Sequence, residues 1–240
     1  MHIYDLIIAD KEATQLDDIF LPAEKRKAIE QLIKEHYYVE ELQQYGLPVN
    51  NKIMLHGASG CGKTTTAKAI ANALGKPLFI LNLSNIICAR IGETSQNIKA
   101  VFDKASREKA VLFLDEFDQI GKARGDDQQD VGEMRRLVNT LIQLIDYFPE
   151  KALLIGATNH VHIIDHALIR RFQVNLSFEM PSEEVLNNYY DTLLSRFPEH
   201  MRQVQRKMDI SFAEAKDDVL TQVKTNLIAH LESTTKNVNI

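Results

Sequence analysis

The chain has 240 residues, 45% of them hydrophobic and 25% charged, a composition that suits a packed globular core and excludes wholesale disorder. Its net charge of −5 argues against a surface built to coat nucleic acid at large. Two cysteines, Cys61 and Cys88, exclude a disulfide framework and point to a reducing, cytoplasmic setting, and no apolar run reaches the roughly 18 residues that span a bilayer.

The first ten residues carry an apolar patch (Leu6, Ile7, Ile8) without a basic region or a small-residue cleavage site. They read as a short strand or packing arm rather than a targeting segment. A helix is expected to open at Pro22, a favoured residue of the first turn, with Ala28, Ile29, Leu32, Ile33 and Tyr37 at helical spacing. Gly46 and Pro48 close that region. Five short apolar runs follow, at 53–55, 78–81, 111–114, 153–155 and 172–178, with helical segments between them at 63–74, 94–109 and 133–147. Strand alternating with helix predicts a parallel sheet with helices on both faces. The run 111–114 is apolar throughout and so belongs where both faces are buried. In 172–178, Phe172, Val174, Leu176 and Phe178 alternate with Gln173, Asn175 and Ser177, which suits an edge strand with one wetter face. After Pro181 only helical segments are expected, at 183–196, 200–207 and 212–231. The predicted organisation is a large α/β domain over 1–178 and a small all-helical lid over 179–240.

Two motifs carry chemistry. Gly57, Ala58, Ser59, Gly60, Cys61, Gly62, Lys63 and Thr64 fit G-x-x-x-x-G-K-[ST] without mismatch, between an expected strand and an expected helix. Glycines let such a loop wrap closely and aim backbone N–H groups at phosphates, and the helix N-terminus adds a positive dipole end. Lys63 is expected at the β- and γ-phosphates, and the Thr64 hydroxyl on magnesium, with Thr65 beside it in the phosphate-binding set. Cys61 stands near a helix N-terminus, a place that can lower a thiol pKa; a small loop residue is the plainer reading. The second motif is Val111-Leu112-Phe113-Leu114-Asp115-Glu116: a buried strand with two carboxylates at its C-terminal end, where open parallel sheets bind ligands. Asp115 is expected to hold magnesium and Glu116 to polarise an attacking water. Asp118, just beyond, is open between a functional and a structural role.

With these motifs in place, the chain resembles AAA+ ATPases, and within them the classical AAA clade in a compact, single-module bacterial form. The resemblance runs from about Leu16 to Phe178. It implies a P-loop NTPase fold, ATP and Mg2+ as the bound species, and ATP hydrolysis. Leu16-Asp17-Asp18-Ile19-Phe20 looks like the segment beside the adenine, so Asp18 and Ile19 join the nucleotide-binding set. Gly156-Ala157-Thr158-Asn159 is similar to the sensor-1 strand, with Asn159 orienting water and γ-phosphate. The stretch from Asp165 to Phe172 resembles the second region of homology, whose arginines reach a neighbouring subunit's ATP; here Arg170 and Arg171 are adjacent, without the usual Pro-Gly insert between them. An arginine supplied in trans implies a homo-oligomer, in this family usually a hexameric ring. Arg90-Ile91-Gly92-Glu93-Thr94 aligns with the first pore loop, with Arg90 where many members carry an aromatic residue. Residues 122–129 stand where a second pore loop is found. No arginine stands near 211–215, where some branches place sensor 2.

Three functions compete: a motor that remodels a protein partner, an ATP-gated switch that controls an effector, and a nucleic-acid loader or transposition-type regulator. The resemblance favours the first, and the acidic charge disfavours the third. About a dozen residues precede the ATPase core, so recognition is expected on the ring face, the lid or a separate chain.

Overall fold

Val111, Leu112, Phe113 and Leu114 are wholly buried, so the strand they form must sit between two others and under helices on both faces. It does. The structure, a computed structural model, describes residues 6–9, 14–84, 91–122 and 128–238. Among the described residues its sheet has six strands: β1 (Ile8–Ala9), β2 (Lys52–Gly57), β3 (Leu78–Asn82), β4 (Val111–Asp115), β5 (Leu153–Thr158) and β6 (Val174–Phe178). Their order is β1-β3-β4-β5-β2-β6. All neighbours pair in parallel except β1, which runs antiparallel along β3 with Ile8 opposite Ile80. β6 closes the other edge, with Leu176 and Phe178 buried and Asn175 exposed, the alternation expected of an edge strand.

The helices are α1 (Ala23–Tyr37), α2 (Val39–Gln44), α3 (Lys63–Ala73), α4 (Ile91–Arg107), α5 (Gln119–Lys122), α6 (Gln128–Asp146), α7 (His166–Ile169), α8 (Glu183–Leu194) and α9 (Phe212–Val238). Ile98, Val101, Phe102 and Ala105 of α4 and Leu137, Leu141 and Ile145 of α6 share one core with the sheet, and Phe102 meets Phe148 edge to face at 5.5 Å. Burying such side chains contributes about 1.5–3 kcal/mol each, so this layer supports the strands it covers. Among the described residues no helix is long and apolar enough to cross a membrane.

Two compact units result: Met1–Gly57 with Lys63–Phe178, and Ala58–Gly62 with Glu179–Ile240. In the second unit α8 starts at Ser182, whose hydroxyl accepts from the Val185 N–H, and packs Leu186, Tyr190, Leu193 and Leu194 against Ala215, Val219 and Val223 of α9.

Two expectations are corrected. Phe172 lies outside the strand, which begins at Val174. The backbone still turns there, the Phe172 N–H donating to Ile169 O, while its ring packs edge to face on Phe117. The segment 200–207 is not a helix; after a single turn, Glu199–Met201, the chain runs without regular structure to Ser211. Side chains from the helices satisfy its backbone instead. Gln222 accepts from the Gln205 N–H, Asn226 donates to Met201 O and Gln203 O, and the Tyr190 hydroxyl bonds both polar groups of the Lys207 backbone.

Candidate active site

The C-terminal ends of β4, β5 and β2, three adjacent strands, carry Asp115 and Glu116, Asn159, and Gly57 with Lys63. Gly57 ends β2 with φ of 128°, and a Cβ there would lie 2.1 Å from Phe178 O across the strand pair. Only glycine allows that approach, so the chain leaves the sheet at Gly57 and re-enters regular structure at Lys63, the first residue of α3. Lys63 is 9% exposed, and its ammonium donates to Gly57 O at 2.9 Å. The turn thus closes on its own lysine. Thr64 is half-buried and Thr65 exposed.

Asp115 ends β4. Burial, the Glu116 carboxylate and the Asp118 carboxylate raise its carboxyl above the usual range, against the Glu116 N–H and the Lys63 ammonium, which lower it. Among the described residues no three acidic, histidine or cysteine side chains converge on one point, but the partly buried Asp115 carboxylate and the Thr64 hydroxyl are oxygen donors of the kind magnesium takes alongside phosphate and water. Glu116 has φ of 53°, a left-handed backbone that costs a non-glycine residue roughly 1–2 kcal/mol. Its N–H donates to Asp115 Oδ1 at 2.9 Å and its carbonyl accepts from the Gln119 N–H, so both sides of the bend are held. The next residue, Phe117, donates its N–H to Ala157 O at 2.8 Å and ties the bend to β5.

Asn159 follows β5 directly and is exposed, and its side-chain amide makes no hydrogen bond among the described residues. Its neighbours are fixed. Thr158 Oγ1 donates to Asp118 Oδ1 at 2.8 Å and accepts from the His160 N–H at 2.9 Å. Sequence reasoning left Asp118 open and assigned Thr158 no task; no spacing rule signals a bond between residues 40 apart.

The Leu16–Asp18 turn, with Ile19 buried behind it, packs on α3. Arg26 holds it by donating to Leu16 O and Ile19 O, and Asp18 accepts from the Gln15 N–H. Arg170 caps α7, and Arg171 follows; α7 packs on α6. In the second unit, the Ala213 N–H donates to Gly60 O, and a Cβ on Gly60 would lie 2.4 Å from Ser211 Oγ. Cys61 is buried there, its sulfur 3.7 Å from that of Met180. Arg90 and the loop residues 123–127 lie outside the described residues.

Residues 53–180 match the family AAA, the ATPase family associated with various cellular activities. The chain is 37% identical over 182 residues to an uncharacterized AAA family ATPase of Sinorhizobium fredii, covering 76% of this chain and 55% of that protein. It is 29% identical over 201 residues to a putative 26S proteasome regulatory subunit homolog of Methanothermobacter thermautotrophicus, covering 80% and 54%. It is 31% identical over 179 residues to an ATP-dependent zinc metalloprotease FtsH of Lachnoclostridium phytofermentans, covering 72% and 30%. The chain therefore spans about half the length, or less, of these curated relatives.

Proposed function

The chain belongs to the AAA family of ATPases, and from that premise we propose that it hydrolyses ATP at the Gly57–Thr65 loop, in a homo-oligomeric ring of the hexameric kind, to remodel a separate protein partner in the cytoplasm. The observation that carries this reading is that Gly57 and Lys63 follow β2 while Asp115 and Glu116 follow β4, on either side of β5, with the Lys63 ammonium near enough to lower the Asp115 carboxyl. Lys63 exchanges its bond to Gly57 O for the β- and γ-phosphates, and Ala58, Ser59, Gly60, Cys61 and Gly62 supply backbone N–H groups along the chain of phosphates. Asp18 and Ile19 border the adenine. Magnesium, when bound, would be held by Thr64 and Asp115 and neutralise charge on the phosphates. Glu116 accepts a hydrogen bond from the attacking water, and Asn159 orients that water against the γ-phosphate.

Arg170 supplies the charge that a neighbouring subunit's site needs. Its guanidinium is exposed and makes no hydrogen bond or ion pair among the described residues, whereas Arg171 is engaged within its own chain. A protein partner is favoured by relatives that include a proteasome regulatory subunit homolog and an ATP-dependent metalloprotease, and by the net charge of −5, which disfavours nucleic acid. The test of the chemistry is a pair of variants. Glu116→Gln is expected to bind ATP and lose turnover by about 10²–10⁴-fold, and Lys63→Ala to lose binding itself. Glu116→Gln turning over at the wild-type rate would remove the base assignment.

A further inference from the structure

Asp118 and Thr158 are both buried, at 3% and 1% exposure, and they join the two chain segments on which the proposed chemistry depends. Asp118 stands two residues after Glu116, and Thr158 immediately precedes Asn159. The hydroxyl of Thr158 uses its single proton on Asp118 Oδ1 and a lone pair on the His160 N–H. Asn159 is thereby held from both sides of its own backbone, by a side chain before it and a peptide N–H after it. A second link runs parallel, from the Phe117 N–H to Ala157 O. The side chain of Asn159, by contrast, stays free to meet a ligand.

We propose that Asp118 and Thr158 are positioning residues for hydrolysis, fixing Asn159 relative to Glu116 through the Asp118–Thr158–His160 hydrogen-bond chain. The inference rests on the reading of Asn159 given above. Its physical basis is that Asn159 orients a water only if its backbone is set against the same frame as the base. A neutral hydroxyl donating to a buried carboxylate makes a strong, directional bond. Removing the hydroxyl takes one partner from the buried Asp118 carboxylate and one from the part-buried His160 N–H, and the loop carrying Asn159 shifts as they re-pair. A displacement near 1 Å is enough to slow a positioned reaction by about 10²-fold.

The experiment is a double-mutant cycle on the full chain, reading the kcat of ATP hydrolysis and the affinity for a fluorescent ADP analogue. Thr158→Val is expected to lower kcat by about 10²-fold with nucleotide affinity unchanged, and Thr158→Ser to recover most of that loss. Combined with Asn159→Ala, Thr158→Val is expected to slow the enzyme no further than Asn159→Ala alone, because it acts only through Asn159. Losses that multiply in the double variant overturn the inference, as does a Thr158→Val chain that melts earlier but keeps its kcat. Should Thr158→Val fail to fold, Asp118→Ala in the same cycle tests the other end of the hydrogen bond. If Asn159→Ala itself hydrolyses ATP normally, the role of Asn159 falls first, an outcome distinct from multiplying losses on a slow Asn159→Ala background.

Discussion

Arg171 donates through Nε to Asp146 Oδ1 at 2.8 Å and through Nη1 to Ala167 O, so its guanidinium ties α7 to the end of α6. Its neighbour Arg170 makes no such bond. The pair thus divides into a clamp and a free charge. Arg170→Ala is expected to keep the wild-type melting temperature and lose ATP turnover by about 10³–10⁵-fold, the usual effect of an arginine finger. Arg171→Ala is expected to lose stability, by about 1–2 kcal/mol for a charge-assisted pair with partial exposure. Mixing Arg170→Ala with Lys63→Ala should restore some turnover, since each chain supplies what the other lacks. Equal loss of turnover in both arginine variants, with neither destabilised, would refute the division.

The Gly57 turn is expected to be far less tolerant than Gly62, although both have φ in the left-handed half, at 128° and 100°. A Cβ on Gly57 meets backbone, Phe178 O at 2.1 Å, whereas nothing lies within 4 Å of a Cβ on Gly62. Gly62→Ala therefore carries backbone strain alone, about 1–2 kcal/mol. Gly57→Ala adds a clash that only a shift of β6 or of the loop can relieve, typically about 1–3 kcal/mol more. Urea denaturation without nucleotide should rank the two in that order, and the reverse ranking would mean that the loop leaves the sheet differently.

The sheet was legible because its signals are local. Val111 to Leu114 is apolar throughout, and that run alone dictates a central strand; the Gly57–Thr64 motif marks its own strand, turn and helix. What was not legible depends on contacts distant in sequence. Phe172 has the alternation of a strand residue, yet its ring packs on Phe117 outside the ladder. Residues 200–207 look helical, but past Met201 Tyr190, Gln222 and Asn226 satisfy their backbone outside any regular element. Arg170 and Arg171 are alike in sequence and are told apart by Asp146, 25 residues earlier, and by the Ala167 carbonyl. Thr158 and Asp118 pair across two strands, a relation no periodicity encodes.

The acid stability of the fold depends on a group remote from the chemistry. His36 on α1 is buried, its Nδ1 lies 3.4 Å from Lys76 Nζ, and its Nε2 has no partner. Lys76 in turn donates to Lys151 O at 2.7 Å, which holds its charge beside the ring. Burial, then the Lys76 ammonium, lower His36 from 6.5 to about 4, against the Asn50 backbone and the Glu35 carboxylate, which raise it. Above pH 6.5 the ring is neutral both folded and unfolded, and its contribution to stability is fully present. As pH falls below 6.5 the unfolded chain takes up a proton that the folded chain refuses, so stability drops until about pH 4, where the folded ring titrates too. Between pH 7 and pH 5 the loss from this residue is about 2 kcal/mol. Replacing the ring by His36→Phe removes the titration while keeping an aromatic of similar size, and should flatten that part of the curve. Urea denaturation of both proteins at pH 7 and pH 5 measures it: the wild type is expected to lose about 2 kcal/mol more than the variant. Equal losses in the two proteins would show that His36 is not the group that weakens the fold in acid.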